Sequence, residues 1–178
     1  MNIVVCMKQV PNTTEIKIDP VTNTLKRDGV ESIINPDDRT ALEAALVMKD
    51  NYGAKVSVVC MGPQQAEIAL REALAMGADE AYLVTDRAFA GSDTIATSCI
   101  IAQAIGYIGY DVIFAGRQAI DGDTAQVGPQ IAEHLHLPQV TYVSDLEYVR
   151  EENAFIATRR FEDRYQKLKV KGKALFTV

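Results

Sequence analysis

The chain is poor in residues that carry out chemistry unaided. Histidine occurs twice, at His134 and His136, and cysteine three times, at Cys6, Cys60 and Cys99, so no cluster has the spacing of a structural zinc site. The cysteines are odd in number, widely spaced and set among apolar neighbours, a pattern of reduced, buried thiols rather than disulfides. No serine or cysteine sits on a sharp strand-to-helix elbow with a base to match, which argues against nucleophilic catalysis. Basic charge is also short: 18 Lys and Arg against 24 Asp and Glu leave a net charge of -6, which excludes nucleic acid as the main partner because phosphate backbones need a basic surface. No apolar run approaches the roughly 20 residues of a membrane span, and Met1 leads straight into an apolar segment without a signal pattern. A soluble, cytoplasmic protein without membrane insertion is expected.

What is present suits one α/β domain. The 178 residues, 48% of them hydrophobic, are enough for a real core. Residues 2–7 (NIVVCM) form a short continuous apolar run, as expected of a strand buried on both faces in the middle of a sheet. Residues 16–19 and 24–27 flank the turn-rich 20–23 and predict a projecting hairpin. Asn35, Pro36, Asp37 and Asp38 read as a helix start with an Asn cap, proline in the first turn and acids near the positive dipole end. Ala41, Leu42, Ala45, Leu46 and Met48 give that helix its apolar side, and it stops near 51–53. Strands are expected at 55–61, 81–84 and 111–115. A second helix opens at Gly62-Pro63 and ends at Gly77, and a third is capped by residues 91–94, with Ile95, Cys99, Ala102 and Ile105 facing inward. This alternation predicts a doubly wound parallel sheet. Past Pro138, residues 140–149, 154–160 and 166–171 read as an antiparallel C-terminal strand region with turns at 151–153 and 162–163. Lys167, Lys169, Lys171 and Lys173 are its wet face. The apolar segment 174–178 suggests that the sequence is a fragment of something longer.

In open α/β sheets a ligand binds beyond the C-terminal ends of the strands. The unusual loops all fall there: Lys8 with Gln9 and Pro11, then residues 35–38, Met61 with Gly62, Asp93 with Thr94, and residues 116–128. In the last of these an apolar strand feeds Gly116, a polar loop comes next, and a helical pattern begins near Thr124, so unpaired amides and a positive dipole end point at the loop. Two familiar cradles are missing. No G-x-G-x-x-G follows the first strand and no G-x-x-x-x-G-K-[ST] occurs, which disfavours a dinucleotide dehydrogenase site and a P-loop. Asp121 and Asp123 read as turn formers rather than an acid-base pair. The pocket looks built to hold a nucleotide rather than to attack one, and a cofactor would carry any chemistry.

The residues 4–11 (VVCMKQVP), 27–29 (RDG), 34–38 (INPDD), 74–81 (LAMGADEA) and 116–135 (GRQAIDGDTAQVGPQIAEHL) resemble the beta subunit of electron transfer flavoproteins along nearly the whole chain. The order Gln118, Asp121, Thr124, Gln126, Gly128 is required by no generic α/β loop. The resemblance implies a non-enzymatic electron carrier that pairs with an alpha subunit as a heterodimer. It would move electrons between NADH or a flavin dehydrogenase, such as an acyl-CoA dehydrogenase, and a further acceptor. It also implies an adenine nucleotide on the rim. Cys6 and Lys8 would lie beside it, and Asn35, Pro36, Asp37, Asp38, Met61 and Gly62 would contact the adenosine. Asp121, Gly122, Asp123, Thr124, Ala125, Gln126, Val127 and Gly128 would hold the phosphates, with Gly116, Gln118, Ala119, Asp93 and Thr94 completing the site. Residues 86–98 (DRAFAGSDTIATS) resemble the bacterial electron-bifurcating type, which favours FAD over AMP as the nucleotide. Family members continue into a segment that recognises the dehydrogenase and an arm that wraps alpha, so a shortened, single nucleotide-binding domain is expected here. The competing class is a non-redox AMP- or ATP-binding regulatory module on the same architecture.

Overall fold

A computed structural model describes residues 1–12 and 32–178; the predicted hairpin at 16–27 and the motif at 27–29 lie outside the described residues. The first strand, β1 (Asn2–Met7), is followed by β2 (Gln9–Pro11) and β3 (Ser32–Ile34), which pair antiparallel. Helix α1 (Pro36–Tyr52), β4 (Lys55–Met61), α2 (Glu67–Met76), β5 (Glu80–Val84), α3 (Thr94–Ile108), β6 (Val112–Ala115) and α4 (Val127–His134) then alternate. The chain finishes with β7 (Gln139–Val140), β8 (Val143–Val149), β9 (Ala154–Arg160), β10 (Tyr165–Lys171) and β11 (Ala174–Thr177). The main sheet runs β5-β4-β1-β6-β11-β7, with every pairing parallel. A second sheet, β10-β9-β8, is antiparallel. The expected fold class, a parallel α/β sheet with an antiparallel C-terminal region, is the observed one.

The period-two rule explains how one short strand can serve two cores. Ile3, Val5 and Met7 of β1 join one cluster with α1, α2 and the inner face of the small sheet, while Val4 and Cys6 join another with α3 and α4. Phe114 and Phe176 are tilted neighbours at 5.9 Å, Phe176 meets Phe155 at 5.3 Å, and Phe155 meets Tyr148 at 5.0 Å. This run of rings ties the small sheet to the large one.

Several local expectations need correction. Residues 140–149 are not one strand: Val140 pairs with Phe176 in the main sheet, and the chain turns at Tyr142, whose φ of 59° is left-handed, before β8 begins. Helix α3 keeps half of its predicted face: Ala102 and Ile105 are buried as expected, together with Ser98 and Ile101, whereas Ile95 is 61% exposed and Cys99 is exposed. In place of Cys99 the small Ser98 hydroxyl faces inward against His134 of α4, 3.2 Å from Nε2. Helix α4 starts at Val127 rather than near Thr124. Pro129 falls in its first turn, where a missing N–H costs nothing because that amide would have no partner.

Only two of the three cysteines are therefore buried. Burial pushes the Cys60 thiol up to about 11 and the Cys6 thiol higher still, so both stay protonated and unreactive. A native thiol titration is expected to modify one cysteine per chain, Cys99, with Cys6 and Cys60 reacting only after denaturation; loss of the fast-reacting thiol in Cys99→Ser checks the assignment.

Candidate functional site

Because the main sheet is parallel, its exit loops share one edge, and the strand order reverses between β1 and β6. A cavity of about 880 Å³ opens there, at the switch point where such sheets bind ligands. Its walls come from the ends of β1, β4, β5 and β6 and from the first turns of α3 and α4. Of the predicted residues, Cys6, Lys8, Asp38, Met61, Gly62, Asp93 and Thr94 line it, as do Gly116, Gln118, Ala119 and residues 122–128. Asn35, Pro36, Asp37 and Asp121 do not; Asn35 is buried and Pro36 is exposed on another face.

Asn35 occupies the cap position of α1 but makes no side-chain cap hydrogen bond. Its Nδ2 donates to the Gln118 carbonyl at 2.8 Å, and its Oδ1 accepts from the Ile120 amide at 3.1 Å. Asp38 is diverted in the same way. Its carboxylate accepts from the Lys8 amide at 2.8 Å and from the Gly116 amide at 3.1 Å. The start of α1 therefore clamps the exits of both central strands. Gly116 is required by this clamp, since a Cβ there would lie 2.3 Å from Asp38 Oδ1 and 2.6 Å from its backbone nitrogen.

Beyond Gly116 the loop is shaped for an anion. Lys8 Nζ meets Asp121 Oδ1 at 2.6 Å, and a Cβ on Gly122 would stand 4.0 Å from that ammonium. The Asp123 amide donates to the Ala119 carbonyl at 2.8 Å, closing a turn. Asp123 and Ala125 both have φ of 52°, and Gln126 returns to the right-handed region. Successive left- and right-handed residues point their amides into one concavity, the nest that holds anions. Among the described residues the amides of Gly122, Thr124 and Ala125 donate to no protein acceptor, and the first amides of α4 have none by construction. Gly128 lets α4 sit close on the sheet, because a Cβ there would be 3.0 Å from Thr177 Cγ2.

Helix α3 delivers a second N-terminus to the same cavity. Asp93 caps it by accepting from the Ala96 amide at 2.8 Å. Thr94 Oγ1 lies 3.3 Å from Gln126 Oε1 and 3.3 Å from Gln130 Nε2, so the two helix starts are stitched together. The 3₁₀ turn Arg87–Phe89, capped by Asp86, forms a further lobe with Gln64 and Gln65 opposite. In the sequence, residues 86–90 are marked as part of the site only by resemblance, and Thr85 not at all. A physical signal lies in their place after β5, since every exit loop of a parallel sheet reaches the same rim. Gln9 also lines the cavity, and its Nε2 is buried without a partner, a donor that a bound ligand could satisfy.

Burial raises the Asp38 carboxyl to about 7, against the pull of the Lys8 amide, the Asn35 carboxamide and the Gly116 amide, with Asp37 adding repulsion. A group whose folded pKa exceeds its unfolded value of roughly 3.9 holds an extra proton in the native state, so its contribution to stability falls as pH rises from about 4 to 7. Urea melts of Asp38→Asn are expected to show a flatter pH dependence between about pH 5 and 7 than the parent chain; parallel profiles would sink the assignment. Gly116→Ala is expected to cost about 3 kcal/mol or more by overpacking, read as a lowered urea midpoint, whereas Gly106→Ala, where a Cβ meets nothing within 4 Å, should stabilise the α3 helix by up to about 1 kcal/mol.

A family model described as electron transfer flavoprotein domain matches residues 22–178. The chain is 63% identical over 177 residues to the electron transfer flavoprotein subunit beta of Clostridium acetobutylicum, covering 99% of this chain and 68% of that protein. It is 61% identical to the subunit of the same name from Thermoanaerobacterium thermosaccharolyticum, with 99% and 67% covered. It is 57% identical to the caffeyl-CoA reductase-Etf complex subunit CarD of Acetobacterium woodii, with 99% and 68% covered. The chain thus spans about two thirds of the length of these relatives. Identity of this degree over nearly the whole chain, with a family model that matches residues 22–178, means that the chain belongs to the electron transfer flavoprotein family, as a beta subunit.

Proposed function

We propose that the cavity at the β1/β6 switch point binds an adenine nucleotide, and that this nucleotide is FAD. The observation that carries the reading is the joining of two unlike lobes in one cavity. At one end, the unpaired amides of Gly122, Thr124 and Ala125, the α4 N-terminus and Lys8 suit a diphosphate. At the other, Phe89, Ala90 and Pro63 offer apolar contact beside Arg87, which forms no ion pair among the described residues. The volume of about 880 Å³ lies near the top of the roughly 300–1,000 Å³ range of small-molecule sites, more than a mononucleotide needs. When bound, a flavin supplies the one- and two-electron chemistry that the chain's own residues lack. The residues of the chain hold and orient. Lys8 and the loop amides fix the phosphates, the buried Cys6 and Met61 flank the site, and the stitched starts of α3 and α4 hold the two lobes at a set spacing.

In this reading residues 1–178 act as one nucleotide-binding unit of an electron carrier. The partner is an alpha subunit, and electrons pass between NADH or a flavin dehydrogenase, such as an acyl-CoA dehydrogenase, and another acceptor. The Acetobacterium woodii relative, whose name places it in a reductase-Etf complex, supports an assembly of this kind. A non-redox regulatory module would need neither the Arg87 lobe nor a dehydrogenase.

Flavin and AMP released from the purified native complex with alpha separate the outcomes. Two flavins per heterodimer are expected; one flavin with one releasable AMP would return the site to AMP, and a colourless protein that binds ATP would favour the regulatory module. Lys8→Met, which removes a charge-assisted contact worth about 1.5–3 kcal/mol, is expected to weaken nucleotide binding by roughly tenfold to a hundredfold, measured by titration calorimetry.

A further inference from the structure

We propose that Asn35 is a positioning residue, whose carboxamide holds residues 118–120 in their ligand-ready path before any ligand arrives. Its ligand arm rests on the nucleotide reading above; its structural arm does not. Asn35 stands where a helix cap is expected, and an unused cap costs the helix about 1 kcal/mol. Yet its side chain turns away from the α1 amides and makes two hydrogen bonds to a segment more than 80 residues distant. Nδ2 donates to the Gln118 carbonyl at 2.8 Å and Oδ1 accepts from the Ile120 amide at 3.1 Å. A planar group that donates to one residue and accepts from the next but one reproduces the edge of a β-strand. Asn35 thus gives the loop a one-residue strand partner. Its own amide is fastened to the Lys8 carbonyl at 2.8 Å, so the partner is anchored to β1.

The held segment sets the path of the loop beyond it. Ala119, between the two bonded residues, accepts the Asp123 amide at 2.8 Å, and that turn leads into the left-handed residues Asp123 and Ala125. Those residues aim the unpaired amides. Left-handed conformations at non-glycine residues cost of order 1–3 kcal/mol each and persist only where their surroundings fix them. Asn35 is 0% exposed and does not line the cavity, so it touches no ligand. It acts by keeping the nest formed.

The native complex, stripped of nucleotide, provides the test, with AMP as the binding probe. In Asn35→Ala, amide exchange in peptides covering 116–126 is expected to rise roughly thirtyfold, for the loss of two bonds worth about 1 kcal/mol each, while peptides from β1 and β6 keep parental protection. AMP affinity should fall by a similar factor, with a more unfavourable binding entropy as the loop orders on the ligand. Asn35→Ser, neutral and too short to make both bonds at once, should lie between the parent and the alanine variant; it also serves if the alanine variant does not fold. Unchanged exchange in 116–126 in either variant, or an equal rise in β1 and β6, would overturn the proposal. Absence of AMP and FAD binding in the parent complex would defeat the nucleotide reading, and the exchange comparison would still decide the positioning role.

Discussion

A buried carboxyl group that forms no ion pair among the described residues controls the geometry of this molecule. Asp38 lies at the start of α1 and accepts hydrogen bonds from two main-chain amides, one at the exit of β1 and one at the exit of β6. Such a group is expensive to bury, and neutral donors rather than a counter-charge compensate. Its consequence is register: one side chain bonds the exits of the two central strands to each other, and the Asn35 and Lys8–Asp121 contacts are added to it. Everything at the switch point is built on that fixed pair, from the turn at Gly116 to the lysine that crosses to Asp121. The arrangement also dictates glycine at 116, because the carboxylate occupies the space a Cβ would need.

From this anchor a concavity lined by unpaired amides arises without either familiar phosphate cradle. In a P-loop, glycines, lysine and helix start are consecutive in sequence. Here the parts come from three places. The lysine leaves β1, the amides belong to Gly122, Thr124 and Ala125, and the helix dipole is that of α4. The sheet assembles them because all its strands run in one direction, which brings every exit loop to one edge. A search for a contiguous motif fails on such a site, while the crevice rule finds it.

The fold is most legible in the sequence where one principle acts alone. Buried strands such as β1 and β4 are continuous apolar runs, and nothing competes with burial there. It is less legible where a side chain has two possible employments. Asn35 and Asp38 have the composition of a helix start, and a local rule assigns them to the helix; the structure employs both in contacts 30 to 85 residues away, which no local rule can see. The same holds for α3, whose several apolar residues allow more than one inward face. The choice fell to Ser98, which meets His134, and left Ile95 and Cys99 outside. The helix start expected at Thr124 fails for a third reason. Asp123 and Ala125 adopt left-handed backbone that their residue types do not announce, since glycine is the usual occupant.

That last failure bears on the site itself. Where sequence preference and structure disagree, strain has to be held by something, and such places gather at binding sites. Residues 123–126 are held from both ends: the Ala119–Asp123 bond fixes the approach, and the contact of Gln126 with Thr94 fixes the exit. Thr94 opens α3, whose first turn borders the Arg87 lobe. The phosphate-shaped nest and the apolar lobe are therefore parts of one linked unit. A ligand that filled only the nest would leave the other lobe to water, whereas one that spanned both would engage the helix starts, the loop amides and Arg87 together. In the proposed nucleotide reading, discrimination between a short and a long nucleotide would fall on the link between Thr94, Gln126 and Gln130 rather than on the phosphate contacts, which either nucleotide would make.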